Sequence, residues 1–401
     1  MSDQKKRLII ITKLFPYNFT EAFLESEVPY LKKEFNDIIF LPLLKGKVRP
    51  NFKDVAINDS YNKLYKNKLS YYFKALFSIH LYRAIWKHRK EKRSIQACFK
   101  QTIHLLILKK IVFQNKELFN ENTIIYSYWF NAPVYAFIKL KKEFNLKYKV
   151  ICRAHRWDVY EENEIMPYRQ FCIENIDKIF PISQDACNFF TQKYRHHEKY
   201  QLSRLGVKSN MHTTPKSTDK NQLKVLTISQ IIQRKRLDLT LNALTELALK
   251  SPNLNINWTH FGTGPLKDEL ENEINKVKNI PNLSICLMGY VPNKEIIHYL
   301  ESNTVDVFIN LSSSEGVPVS IMEAQSLGIP VIATNVGGSG EIITNDNGIL
   351  LSANPNLNEV YKAFINFISR DWDREYIKAK WNELSNADIN FPQFTQQLLS
   401  I

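Results

Sequence analysis

Short apolar runs recur along the chain, separated by stretches in which apolar residues return every three or four positions. RLIIITKLF, NDIIFLPLL, NTIIYSYW, KYKVICRAH and DKIFPIS each predict a buried strand, since a short continuous apolar run bounded by polar residues fits a sheet covered on both faces. The intervening stretches carry helical spacing, so strand and helix alternate. After Leu205 the segment GVKSNMHTTPKSTDKNQ is polar, holds Gly206 and Pro215 and shows no apolar period, which marks a linker. A second alternating series follows: LKVLTISQ, LNINWTHFG, NLSICLMG, VDVFINLS and PVIATNV. The pattern predicts an α/β chain of two parallel sheets with helices on both faces, divided into residues 1–205 and 206–384, and implies a cleft between the halves. Ligands of such sheets bind beyond the carboxyl ends of the strands, so functional motifs are expected directly after strands.

A chain of 401 residues, 44% hydrophobic and 23% charged, holds enough apolar material for two cores. The apolar stretch Leu8–Ile11 is too short for the core of a signal peptide and reads as a first strand. No apolar run approaches the roughly 18 residues needed to span a bilayer, so an integral membrane protein is not expected. Cys98, Cys152, Cys172, Cys187 and Cys286 form no CxxC pair; they suit neither a disulfide framework nor a zinc site, and a reducing cytosol is the expected home.

Charge is unevenly spread. The net value is +14, but residues 1–210 hold 38 Lys and Arg against 20 Asp and Glu, while the remainder holds 16 against 20. Residues 61–116 hold 14 basic residues against one acid, Glu91, interleaved with Tyr71, Tyr72, Phe73, Phe77, Tyr82 and Trp86. Such a surface suits an anionic membrane leaflet or a lipid-diphosphate acceptor. Nucleic acid is the competing partner, and an ordinary solvated helical face is the plainer alternative.

The densest candidate chemistry is VDVFINLSSSEGVPVSIMEAQSLGIPVIATNVGGSGEII, from Val305 to Ile343. It reads as strand, loop, helix, strand, glycine loop, helix. Pro318 is suited to the first helical turn, so the N–H groups of Val319, Ser320 and Ile321 are expected to be free to seat a diphosphate at the positive end of the helix dipole. Glu323 then points at a ribose diol, since a carboxylate accepts from two hydroxyls at once. The pair Glu315 and Glu323, eight residues apart in this wording, resembles the signature of glycosyltransferase family 4, a retaining family of the GT-B fold, in which two Rossmann-like doubly wound domains face a central cleft. The resemblance implies that Glu315 contacts the donor sugar and Glu323 the nucleotide ribose.

Several other segments share in the resemblance. SQIIQRKRLDLTLNAL is similar to the family's loop bearing the Arg and Lys that grip the donor diphosphate; Lys235 matches the Lys, whereas the Arg position falls on Gln230, with Arg234 or Arg236 as possible replacements. A cation is needed there because the leaving diphosphate gains negative charge as the glycosidic bond breaks. In HFGTGPLKDEL, Gly262 and Gly264 follow a strand, where small residues let backbone approach a nucleotide, and they match the family's glycine turn. Gly337 and Gly338 form a similar loop on the donor side.

In the first half, His155 follows the strand of KYKVICRAH, flanked by Arg153, Arg156 and Asp158, of which Arg153 and Asp158 are candidates for the acceptor side. The resemblance implies that such a His contacts the donor sugar across the cleft. KLFPYNFTEAFLESEVPYL resembles the family's acceptor-side first loop but lacks its glycine pair and offers Thr20 and Glu21. Tyr128, Trp129 and Asn131 either line the same side or pack in the core. The triplet Asp371–Asp373 has the DxD form that binds a metal in other glycosyltransferases, but its position predicts a helix cap instead. The family resemblance implies no metal and no cofactor beyond the nucleotide-sugar co-substrate.

Together these readings predict a retaining hexosyl- or related transferase of the EC 2.4 class. Its donor is expected to be UDP- or GDP-linked and its acceptor a glycan hydroxyl on a lipid-linked intermediate of capsule, O-antigen or exopolysaccharide synthesis. The expected location is cytoplasmic and peripheral, at the inner face of the cell membrane. The terminal stretch, about residues 385–401, resembles helices that pack back on the first domain. Two alternatives remain: a catalytically silent partner in a polysaccharide assembly complex, suggested by Gln230, and a nucleotide-sugar 2-epimerase, against which the Glu pair argues.

Overall fold

The computed structural model describes residues 6–18, 21–89, 94–161, 165–209, 213–217 and 219–401. The chain divides into two compact units, Met1–Arg204 with Phe391–Ile401, and Leu205–Asn390.

The first unit is built on a six-stranded sheet of order β3-β2-β1-β4-β5-β6, with β1 Arg7–Thr12, β2 Asp37–Pro42, β3 Ala56–Ile57, β4 Thr123–Ser127, β5 Lys149–Ala154 and β6 Lys178–Pro181. All its pairings are parallel, and Ile9 stands opposite Ile39 on one side and Ile125 on the other. Successive side chains leave a strand on opposite faces, so Ile9 and Ile11 join one core with Ile125, Val150 and Cys152, while Leu8 and Ile10 join a second with Phe40, Ile124 and Tyr126. Phe394 and Leu398, from the terminal helix Ala387–Leu399, complete that second core. The five runs read as strands are strands here; β3, only two residues long, is too short to carry a periodic signal.

The second unit repeats the plan with order β12-β11-β10-β7-β8-β9: β7 Gln222–Ile228, β8 Asn255–Phe261, β9 Leu283–Gly289, β10 Val307–Asn310, β11 Val331–Thr334 and β12 Gly348–Leu351. This sheet is parallel throughout as well. Every residue of β10 and β11 is buried, as expected for strands covered on both faces, whereas edge strand β9, after its buried first residue, alternates exposed and half-buried. β12, outside the sequence-predicted set, is a four-residue edge strand whose leading glycine blurs its apolar run.

Two of the described residues in the polar stretch after Leu205 are tied to the second unit by backbone hydrogen bonds. Val207 N–H donates to Ser385 O at 2.9 Å and Thr214 N–H to Leu327 O at 2.9 Å. Single backbone bonds of this kind need no apolar period, so the sequence pattern could not register them.

Among the described residues no helix is long and apolar enough to cross a membrane, and no group of three or more His, Cys, Asp and Glu could hold a metal ion. All five cysteines are free thiols, four buried and Cys286 exposed.

Candidate active site

In both sheets the strand order reverses at one place, beside β1 in the first and beside β7 in the second. Connections leave these strands in opposite directions, and in sheets of this kind ligands bind beyond the carboxyl ends of the strands at such a place.

In the second unit the loops after β7 and β10 meet at this reversal. The β7 loop holds Lys235, in a short 3-10 turn Gln233–Lys235, and the β10 loop holds Glu315. Eighty residues apart in sequence, they form an ion pair with Lys235 Nζ 2.5 Å from Glu315 Oε1, both side chains largely buried. Asn310, the last residue of β10, donates to the same carboxylate oxygen at 3.4 Å. The loop after β11 holds the Glu315 side of this pair in place. Gly337, at φ 54°, passes so close that a Cβ there would stand 2.0 Å from Glu315 O, and Gly338 N–H donates to Gly316 O at 2.6 Å. A side chain at 337 would therefore push the Glu315 loop out of position.

The helix after Glu315 runs over Val319–Ser326 and is capped by Pro318. Ile321 N–H already donates to Pro318 O at 3.2 Å, so the seat expected from three N–H groups narrows to Val319 and Ser320 in the first turn. Likewise Gly338, a donor-side candidate, has its N–H engaged within the protein. Glu323 follows one turn later and accepts from Asn293 Nδ2 at 2.7 Å. Burial raises its pKa, an effect that Asn293 partly offsets.

Three cationic or polar candidates share the β7 loop. Gln230 is exposed. Arg236, at φ 48°, braces the loops: its guanidinium donates to Leu311 O, Ser312 O, Ala353 O and Asn354 Oδ1, which leaves it structural rather than a replacement for an absent Arg. Arg234, by contrast, has a buried Nε with no protein partner. The glycines after β8 serve the same loop. A Cβ on Gly262 would meet Ser229 O at 1.8 Å and one on Gly264 would meet Ile231 O at 2.3 Å. Their smallness thus lets the loops after β7 and β8 pack together, a reason internal to the protein and distinct from close approach to a nucleotide.

In the first unit, Glu21 ties together the loops after β1 and β4. Its carboxylate accepts from the N–H groups of Lys13, Leu14 and Phe15 at 2.8–2.9 Å and from Trp129 Nε1 at 2.7 Å. Thr20, its candidate neighbour, lies outside the described residues. His155 caps the short helix Arg156–Val159, with its ring 4.6 Å from the rings of both Tyr128 and Trp129. Burial, aided by the Arg153 cation, lowers its pKa to about 3, so the imidazole is neutral at pH 7. His155 Nε2 and the Tyr128 hydroxyl are buried polar atoms without a protein partner. Asp158 accepts from Phe130 N–H at 2.7 Å, and burial raises its pKa to about 7.

Arg153 has a different place from its candidate role on the acceptor side. Fully buried, it pairs with Glu27 at 2.9 Å, donates to Ser203 O at 2.8 Å, and lies 3.9 Å from the centre of the Phe394 ring. It anchors the terminal helix to β5 and has no surface to offer an acceptor.

Sequence reading missed Asn293 and Asn310. Asn310 carried a usable signal, a polar residue ending an otherwise apolar strand; Asn293 opens a helix 30 residues from the carboxylate it contacts, and nothing local announces that.

Residues 211–382 match the family described as Glycosyl transferases group 1. The chain is 27% identical over 258 residues to the O-antigen biosynthesis glycosyltransferase WbnH of Escherichia coli, a match covering 62% of this chain and 67% of that protein. It is 29% identical over 130 residues to the UDP-Gal:alpha-D-GlcNAc-diphosphoundecaprenol alpha-1,3-galactosyltransferase of Escherichia coli, covering 32% of this chain and 31% of that one. The solved structure of the lipopolysaccharide outer core galactosyltransferase WaaB in its apo form superposes with TM-score 0.74 at 12% identity, over 98% of this chain and 99% of that one. At that identity the likeness speaks for the fold alone. The fold is the GT-B architecture of two Rossmann-like α/β units, and the match to the family of Glycosyl transferases group 1 lies in the second of them.

Proposed function

We propose that the protein is a retaining glycosyltransferase that moves a sugar from a UDP- or GDP-linked donor to a hydroxyl of a glycan acceptor, a lipid-linked intermediate of capsule, O-antigen or exopolysaccharide synthesis. The observation that carries this reading is the Lys235–Glu315 pair, held at 2.5 Å at the strand-order reversal of the group 1 domain and followed directly by the helix Val319–Ser326. The names of the relatives, one of which acts with UDP-Gal on a diphosphoundecaprenol-linked sugar, favour this class of donor and acceptor.

In the proposed reaction the bond between the sugar's anomeric carbon and the donor phosphate oxygen breaks, its electron pair leaving with the nucleoside diphosphate. The acceptor oxygen bonds to the anomeric carbon on the same face, and its proton passes to a departing phosphate oxygen. Lys235 has three donors and gives one to Glu315; the others, with Arg234 and the N–H groups of Val319 and Ser320, stabilise the charge that grows on the diphosphate. Glu315 orients the sugar, Glu323 accepts from the ribose, and neutral His155 donates or accepts a hydrogen bond without acting as a nucleophile. No metal is required, because cationic side chains and helix-end N–H groups take that part.

Donor hydrolysis and transfer are to be measured on UDP- and GDP-sugars for the wild type, Lys235→Ala and Glu315→Gln. The expected result is a loss of about 10²- to 10³-fold in kcat for either variant with the fold retained. Equal activity of the variants would remove the pair from the chemistry. Inactivity of the wild type on every nucleotide-sugar would favour a silent assembly partner, a reading that the exposed Gln230 already permits.

A further inference from the structure

Helices Lys68–Leu76 and Ile79–Lys87 each carry two apolar faces. One face is the ordinary one: Tyr71 and Ala75 of the first, and Leu81 and Ala84 of the second, are buried toward the long helix Ser94–Gln114. The other is turned to solvent. At about 100° per residue, Leu69, Tyr72, Phe73 and Leu76 fall in one stripe opposite Tyr71 and Ala75, and Ile79, Tyr82 and Trp86 fall in one stripe opposite Leu81 and Ala84. Exposure is large: 71% for Leu69, 65% for Phe73, 70% for Trp86, and 87% for Phe77 in the turn between the helices. Soluble surfaces rarely leave so many neighbouring large apolar side chains in water without using them.

Charge selects the occupant. From Ser60 to Arg89 the sequence holds seven Lys and Arg and no Asp or Glu, and all seven are exposed. Lys66, Lys74 and Lys110, with Leu69 and Tyr71, line a surface cavity of about 310 Å³, a size and charge suited to a phosphate headgroup. Arg89 stacks over exposed Trp86, its guanidinium 4.8 Å from the ring centre. Two copies of this face would set like charges against each other. Its aliphatic members, Leu69, Leu76 and Ile79, have no stacking surface to offer nucleic-acid bases.

We propose that this two-helix face docks the protein on an anionic lipid bilayer, with Leu69, Phe73, Phe77 and Trp86 entering the interface and the surrounding Lys and Arg resting among the headgroups. Since the opposite faces are fixed in the core, the helices form a preformed platform that need not fold on contact. The proposal rests on no feature of the donor site.

The test is co-sedimentation of the full chain with vesicles of phosphatidylethanolamine containing about one quarter phosphatidylglycerol, against vesicles of phosphatidylcholine alone. The wild type is expected to sediment with the anionic vesicles only, and to release several-fold when NaCl rises from about 0.05 to 0.5 M. The triple variant Phe73→Ser, Phe77→Ser, Trp86→Ser should bind roughly tenfold less or worse with unchanged circular dichroism and Tm, because the three side chains are exposed. Lys66→Glu with Lys74→Glu should lose binding at low salt while keeping its fold. Equal sedimentation of wild type and triple variant would overturn the proposal. So would equal binding to phosphatidylcholine, or a face engaged instead by a labelled oligonucleotide or by self-association in sedimentation velocity that the triple variant abolishes.

Discussion

Single side chains in this molecule do work that their neighbours in sequence do not reveal. His104, on the helix Ser94–Gln114, is buried against Tyr61, with Nδ1 2.9 Å from the hydroxyl. Burial, with a smaller push from Lys100, lowers its pKa from 6.5 to about 3. A base whose folded pKa lies below its unfolded one takes up a proton on unfolding, so its stabilising contribution is complete above about pH 6.5 and is lost as pH falls toward 3. The slope from one such group is about 1.4 kcal/mol per pH unit. Replacing it by His104→Gln should flatten the urea-unfolding profile of the first unit between pH 6.5 and 4 relative to wild type; parallel profiles would show that His104 titrates normally. The same scale shows where sequence reading reached and where it stopped. Glu315, Glu323 and Lys235 were legible because each follows a strand in a distinctive wording. Asn310, the partner of Glu315, was missed although it ends an apolar strand five residues away; Asn293, the bracing role of Arg236 and the burial of Arg153 were not legible, since each depends on a contact made across the fold.

Elements were easier to read than contacts. Strands covered on both faces announce themselves as unbroken apolar runs, which is why β1, β4, β5, β10 and β11 stand out, while edge strands β3 and β12 do not. Strand order carries no local signal at all, yet it is the order that brings the loops of β7 and β10 together. The start of the helix Arg374–Ser385 was legible from its Asp: Asp373 caps it, accepting from Tyr376 N–H at 3.0 Å, while Asp371 bonds Lys216. Both carboxylates of the DWD triplet thus have partners in the protein. Asp373→Ala should cost about 1 kcal/mol and lower the Tm of a unit this size by about 2–4 °C. It should leave transfer per folded molecule unchanged, with or without EDTA. A collapse of activity at constant fold, or an EDTA-sensitive rate, would restore the metal reading of the triplet.

For the whole molecule, the two units repeat one plan but differ in charge. Residues 1–210 carry 38 Lys and Arg against 20 Asp and Glu, whereas the rest carry 16 against 20, so the excess of positive charge lies with the unit that bears the exposed two-helix face. The second unit places three cations, Arg234, Lys235 and Arg236, together on the β7 loop, Lys235 paired with Glu315. That arrangement fits a division between a basic unit that meets surfaces and a unit that grips a diphosphate, and it makes nucleotide-sugar binding by the second unit the central claim. The most direct measurement is a thermal-shift titration of wild type and Glu323→Ala with UDP-, GDP-, ADP- and CMP-sugars. A donor at roughly 100 times its dissociation constant should add about 2.7 kcal/mol to the wild type. One class of nucleotide-sugar raising the Tm of the wild type by several degrees, and that of Glu323→Ala little or not at all, is the predicted result. No stabilisation by any of them, or equal stabilisation of both proteins, would contradict the account.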